Sequence, residues 1–124
     1  VAVPTSGARR RRRGYNQARV IADSLGKALD RPVLPALFRD SSTRSQTTVS
    51  AQQRIANVKN AFVLRPDVQA KLEGRVVLLV DDVITTGATL RASAQALSPA
   101  RPASILAVAF ARRLPMAHIE VGPR

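Results

Sequence analysis

The chain has no cysteine, no tryptophan and a single histidine, His118. Disulfides, Cys-ligated zinc and thiol chemistry are therefore excluded, and His118 falls in a polar tail past the last apolar segment, where catalysis is not expected. Aromatics amount to one Tyr and three Phe, too few for a platform on which successive bases could stack. No apolar run approaches the ~18 residues of a membrane span, and the Arg-rich start lacks the apolar stretch of a signal peptide. A cytoplasmic location without membrane partners is the expectation. Acidic residues are scarce as well, 8 against 20 Lys and Arg, for a net charge of +12.

That charge is uneven, with 12 Lys/Arg and 3 acidic residues in 1–60 against 8 and 5 in 61–124. Such a balance favours a polyanionic partner, either a small pyrophosphate compound or nucleic acid. Charge alone does not choose between them. A chain of 124 residues is one small domain, and neither an internal repeat nor a domain boundary is visible. Because it begins at Val1 rather than Met, a fragment or a processed form is expected.

What is present is most informative between Val76 and Leu90, VVLLVDDVITTGATL. The unbroken apolar run Val76–Val80 reads as a strand buried on both faces of a parallel sheet, ending at Asp81. Asp81-Asp82 follow, then Thr85-Thr86-Gly87-Ala88-Thr89 and a helical pattern from Gly87 to Leu97 with Leu90, Ala94 and Leu97 on one face. Ligands of open α/β sheets bind beyond the carboxyl ends of strands. Paired carboxylates there can accept from vicinal ribose hydroxyls. The Thr/Gly turn leads to a helix start, whose free N–H groups and dipole favour a phosphate. Gly87 admits close backbone approach. The competing account makes the acids polar strand-end residues and the threonines helix caps; the fixed order of all the parts favours the ligand.

Elsewhere, Tyr15–Asp30 carries a helical stripe of Ala18, Ile21, Ala22, Leu25, Ala28 and Leu29, with Lys27 near its end and Pro32 expected to stop it. Val33–Phe38 reads as a short strand interrupted by Pro35. Asp40–Thr48 reads as loop, Ser50–Val58 as a short capped helix, and Ala61–Leu64 as a strand. A connection containing Pro66 leads to Gly74. Ser104–Phe110 reads as a further buried strand, with Phe62 and Phe110 in the core, Arg112-Arg113 as a solvated strand end and Pro115–Arg124 as a tail. Strand–helix–strand alternation implies a parallel sheet flanked by helices.

VVLLVDDVITTGAT resembles the phosphoribosyl pyrophosphate (PRPP) motif of type I phosphoribosyltransferases. Upstream, Arg13-Gly14-Tyr15-Asn16-Gln17-Ala18, then Gln46 with Arg54, Asn57-Val58 and Ala61-Phe62, resemble the ComF family of competence-associated, phosphoribosyltransferase-like proteins. Order and spacing match over about residues 1–112.

The resemblance implies an α/β type I phosphoribosyltransferase fold over 1–124, a mostly parallel twisted sheet with the site at the strand C-termini. The basic segment 1–13 and the tail 113–124 flank it, and the N-terminal strand is expected to be truncated. It implies Asp81 and Asp82 on the ribose hydroxyls, and Asp81, Asp82, Val83, Thr85, Thr86, Gly87, Ala88 and Thr89 around PRPP. Ser6 and Gly7 would lie in the pyrophosphate loop. Arg44, Gln46 and Arg54 would belong to a mobile loop over PRPP, although Gln46 and Arg54 also suit an ordinary loop and an exposed helix. Mg²⁺ is expected to arrive with PRPP rather than on protein ligands. The implied chemistry is transfer of the ribosyl group to an acceptor base, unknown here, with pyrophosphate leaving through an oxocarbenium-like transition state. A homodimer is one expected assembly. ComF proteins usually carry an N-terminal Cys-rich region, and these residues hold no cysteine, so the expectation is either a piece without that region or a homologue that has lost it.

Arg9, Arg10, Arg11, Arg12 and Arg13 remain open among a solvated run, nucleic-acid contact and a role at the pyrophosphate. Tyr15, Asn16 and Gln17 fit either the family motif or a plain helix start. The alternative to catalysis is a competence or DNA-uptake factor that binds nucleic acid through its basic surface, with PRPP at most an effector.

Overall fold

A buried strand flanked on both faces by helices organises the molecule, whose computed structural model describes residues 1–5, 11–40 and 61–113. In chain order the elements are α1 (Gln17–Leu29), β1 (Leu37–Arg39), β2 (Phe62–Leu64), α2 (Pro66–Leu72), β3 (Val76–Ile84), α3 (Ala88–Leu97), a 3-10 turn (Ser98–Ala100) and β4 (Ser104–Arg112). β3 and β4 pair in parallel, with Val76 opposite Ser104 and Ile84 opposite Arg112. On the other edge of β3, Ala2 forms a parallel bridge to Val80. There the Val80 N–H donates to Val1 O and the Val3 N–H to Val80 O, each at 2.8 Å. The strand order is thus residues 1–3, β3, β4, an α/β arrangement with α3 as the β3–β4 crossover. β1 and β2 form a separate antiparallel pair, an addition to the mostly parallel expectation.

Side chains of β3 alternate between two packed faces. Val77 and Leu79 join Leu90 and Leu97 of α3, Leu37 and Phe62 of the antiparallel pair, and Val68 and Leu72 of α2 in the core. Val80 is buried on the opposite face, under α1, where the buried faces of Ala18 and Ala22 let the helix approach the sheet closely. Val76, at the start of β3, is 63% exposed, so burial on both faces holds for the middle of the strand and not for its first residue.

Several expectations need correction. α1 begins at Gln17 rather than Tyr15, although it does end short of Pro32 as expected. Asp30 takes the left-handed conformation at φ 51°, and the Arg31 N–H closes the end by donating to Gly26 O at 2.8 Å. The first strand is confined to Leu37–Arg39, after Pro35. The Pro66 connection is a helix, because proline suits a first helical turn that needs no N–H and Val68 and Leu72, four apart, both turn inward. β3 runs on to Ile84, since its ladder with β4 continues past the carboxylates. β4 is largely exposed rather than buried. Phe110 is 83% exposed and outside the core, whereas Phe62 is buried at 6%. The helix expected over 50–58 and the tail from 115 lie outside the described residues.

Candidate functional site

The end of β3 carries the two carboxylates within the strand. Asp81 Oδ1 accepts from the Asp82 N–H and Asp82 Oδ1 from the Val83 N–H, both at 2.8 Å. Strand alternation sends neighbouring side chains to opposite faces, so the pair straddles the strand tip, with Asp81 on the α3 side and Asp82 on the α1 side. Both are half-buried, against Thr85 and Thr86 just beyond, which are exposed.

The turn into α3 is set by Gly87 at φ 78°, the left-handed N-cap residue of the helix. Thr86 Oγ1 accepts from the Ala88 N–H at 3.3 Å, so one threonine does cap the helix start. The Arg91 guanidinium, one turn into α3, donates to the Thr86 carbonyl at 3.1 Å. It brings a positive charge under the turn, adding to the field of the helix start. Arg113 N–H donates to Ile84 O at 2.9 Å, which pins the strand just before the turn.

A second wall comes from the segment before α1. Arg11–Arg13 form an exposed helical turn, and Gly14 at φ 80° makes the corner that follows. Asn16 caps α1, its Oδ1 accepting from the Ala18 N–H at 3.1 Å, while its Nδ2 donates to Val3 O at 3.0 Å. One side chain thereby ties the helix start to the segment beside β3. The Arg13 guanidinium donates to Gln17 Oε1 at 2.6 Å and stands 4.0 Å from Asp82 Oδ2.

Asp81, Asp82, Val83, Thr85, Thr86, Gly87, Ala88 and Thr89 therefore lie on one strand–turn–helix unit, and Arg13 is brought to it from the far side. Ser6, Gly7, Arg9, Arg10, Arg44, Gln46 and Arg54 lie outside the described residues. Pattern marks Arg13 as the last of five arginines and as the first residue of the Arg13–Ala18 stretch that resembles ComF proteins, and it does not mark Arg91 at all. For Arg13 the available signal is the glycine that follows it and the Asn-x-Ala cap, which together fix the direction of the preceding turn. For Arg91 it is the spacing of one helical turn from Gly87.

A family model of the phosphoribosyl transferase domain matches residues 11–116. The chain belongs to that family. Its fold is accordingly the α/β type I phosphoribosyltransferase fold, consistent with the helix-flanked parallel pair β3–β4. Among similar proteins, Competence protein F of Haemophilus influenzae is 44% identical over 91 residues, 73% of this chain and 39% of that protein. DNA utilization protein YhgH of Escherichia coli K12 is 40% identical over 98 residues, 78% of this chain and 41% of that one. Competence protein ComFC of Bacillus subtilis is 31% identical over 97 residues, 78% and 37% of the two. The ComF-like reading of the sequence agrees with these relatives, and this phosphoribosyl transferase domain spans about two fifths of their length. Among its described residues, no helix is long and apolar enough to cross a membrane.

Proposed function

We propose that this domain binds PRPP at the tip of β3 and transfers its phosphoribosyl group to an acceptor base, releasing pyrophosphate. The observation that carries the reading is the contiguous β3–turn–α3 unit, with two carboxylates on the strand end and a left-handed Gly87 opening the helix. Asp81 and Asp82 would accept from the ribose 2′- and 3′-hydroxyls. Backbone N–H groups of residues 87–89 and the hydroxyls of Thr85 and Thr89 would surround the 5′-phosphate, with Arg91 adding charge from below. Catalysis of this kind rests on holding the ribose C1′ in line with its nucleophile and on countering charge as pyrophosphate departs.

Among the described residues no group of three or more His, Cys, Asp or Glu side chains is placed to hold a metal. Two carboxylates fit Mg²⁺ that is bound mainly through the ligand's own oxygens, with Asp81 or Asp82 at most completing its shell. When bound, the ion would offset charge on the pyrophosphate.

Calorimetry with PRPP and Mg²⁺ tests the reading. Wild type should bind, and the Asp81→Asn/Asp82→Asn double variant should lose about tenfold or more in affinity, as expected when charge-assisted hydrogen bonds are weakened. Absence of binding at millimolar ligand, with no change in the double variant, would sink it. A screen of candidate bases for pyrophosphate release would then identify the acceptor.

The names of the relatives and the charge of +12 favour a second reading, a competence-associated factor that contacts nucleic acid through its basic surface. It predicts single-stranded DNA binding that falls steeply with salt and disappears when Arg9–Arg13 are replaced. Absent or salt-insensitive binding speaks against it.

A further inference from the structure

A second concavity lies at the opposite end of β3 from the carboxylates. Val76 and Asp82 are six residues apart in that strand, which at ~3.3 Å per residue separates the two places by about 20 Å. The cavity has a volume of about 900 Å³ and lies between the second half of α1, residues 31–34, the end of α2 and the start of β3. That size falls in the ~300–1,000 Å³ range of small-molecule sites. Its walls are aliphatic, with Leu25, Leu29, Val33, Leu34 and Val76 among them. Leu29 and Val76 stay 51% and 63% exposed, so the described residues leave this apolar wall in contact with water. An apolar patch edged by charge marks a binding surface.

The charge at this cavity has one sign. Arg31, Lys71 and Arg75 all line it. The acids of the same elements are engaged elsewhere: Asp23 pairs with Arg19, Asp67 with Arg65 and Glu73 with Arg101. Asp30 lines a separate surface depression. Among the described residues, Lys71 and Arg75 have no side-chain partner, and Arg31 has only the Asp30 carbonyl at 3.3 Å. Cations at helix C-termini answer the helix dipole, which accounts for Lys71 in the last turn of α2 and for Arg31 just past α1. It does not account for Arg75, which leads into β3.

We propose that this cavity binds a linear aliphatic carboxylate, its chain along Leu25, Leu29, Val33, Leu34 and Val76 and its head group among Arg31, Lys71 and Arg75. Three cations without carboxylate partners supply the complementary charge, and guanidinium suits carboxylate oxygens in particular. The aliphatic walls choose the body of the ligand. No aromatic side chain lines the cavity among the described residues, so a nucleobase would find no face to stack on. An inorganic phosphate would leave the apolar wall wet. The site does not depend on the PRPP reading, and both ligands can be held at once.

Octanoate, decanoate and dodecanoate, each below its micelle-forming concentration, are titrated calorimetrically into the whole chain, with dodecylammonium as the head-group control. Binding should saturate and tighten about two- to fourfold per added methylene, the scale of apolar burial. Dodecylammonium should not bind. The Arg31→Gln/Lys71→Gln/Arg75→Gln triple variant should lose dodecanoate affinity about tenfold or more. Leu29→Gln and Val76→Thr should each lose about three- to tenfold; both positions are exposed, and circular dichroism checks that the variants fold. Leu106→Gln, at an exposed apolar position on β4 that does not line the cavity, should bind like wild type. Absence of saturable dodecanoate binding overturns the proposal, as does unchanged affinity in the triple variant. An equal loss in Leu106→Gln also overturns it, because it would mark adsorption to β4. So does displacement of dodecanoate by PRPP with Mg²⁺, which would put the carboxylate at the strand tip.

Discussion

Replacing Gly87 by alanine separates the conformational role of the turn from its proposed ligand role. Gly87 sits at φ 78°, where an L-residue meets its own carbonyl. Among the described residues, the only atoms a Cβ at this position would approach belong to the Arg91 guanidinium, at 3.3 and 3.9 Å. That guanidinium ends a flexible side chain and can move aside, at the expense of an exposed hydrogen bond to the Thr86 carbonyl. Steric overlap is therefore the minor cost. The left-handed conformation dominates, at about 1–2 kcal/mol for a residue with a Cβ, so the variant should be less stable by about that amount. Asparagine tolerates the left-handed region better than alanine, so Gly87→Asn should lie between wild type and Gly87→Ala. Urea unfolding followed by circular dichroism reads this as a lower midpoint at unchanged m-value. Binding should rank differently. Both variants place a Cβ at the same point, so both should lose ribose 5-phosphate affinity to a similar extent if phosphate oxygens approach across the Gly87 Cα. A Gly87→Ala protein as stable as wild type would refute the strain argument. Affinity that tracks stability, with asparagine binding like wild type, would refute the close approach.

Two further substitutions probe the frame of the site. Gly26→Ala should lower the thermal midpoint although alanine gains about 1 kcal/mol of helix propensity. Its Cβ would lie 2.6 Å from Val33 Cγ2 and 2.8 Å from Arg31 O, and overpacking of that kind costs about 1–3 kcal/mol. The Arg31 backbone is itself bonded to Gly26 O at 2.8 Å and has little room to retreat; a midpoint at or above wild type would contradict this. Ser93→Ala should instead raise stability by about 1 kcal/mol, because the fully buried Oγ of Ser93 has no hydrogen-bond partner among the described residues and an unpaired buried hydroxyl carries its full desolvation cost. Denaturant midpoints of the two proteins check it, and an unchanged or lower midpoint counts against it.

The residues made some parts of this structure readable and hid others for physical reasons. Val76–Val80 announced a strand because a run of aliphatics is what a strand packed on two faces requires, and Leu90, Ala94 and Leu97 announced α3 through their spacing. α2 was hidden because a seven-residue helix shows too little period, and Pro66 at its start looks the same as a loop proline. The extension of β3 beyond Asp81 was hidden because polar side chains end a hydrophobic pattern without ending a ladder, and the pairing with β4 is made by backbone atoms. Phe110 reads as core yet lies exposed, because residue type does not say whether a neighbouring element covers its face of the strand. At the candidate site, the carboxylates and the Thr/Gly turn were legible since they are consecutive. The approach of Arg13 to Asp82 depends on Gly14 turning the chain and Asn16 holding Val3, a tertiary event that no local pattern records.

β3 is hydrogen-bonded along both edges at its middle, to residues 1–3 on one side and to β4 on the other. For its central amides to exchange with solvent, a sub-global opening must release a neighbour. Thr85 to Gly87, a few residues on, need only the loosening of a surface turn. The proposed site thus sits on a step in local opening free energy. Asp81 and Asp82, still within the β3–β4 ladder, are expected on the slower-exchanging side and the proposed phosphate turn on the faster one. A ligand that engages both has its sugar placed by a part of the chain already ordered, and spends binding energy on ordering only at the phosphate.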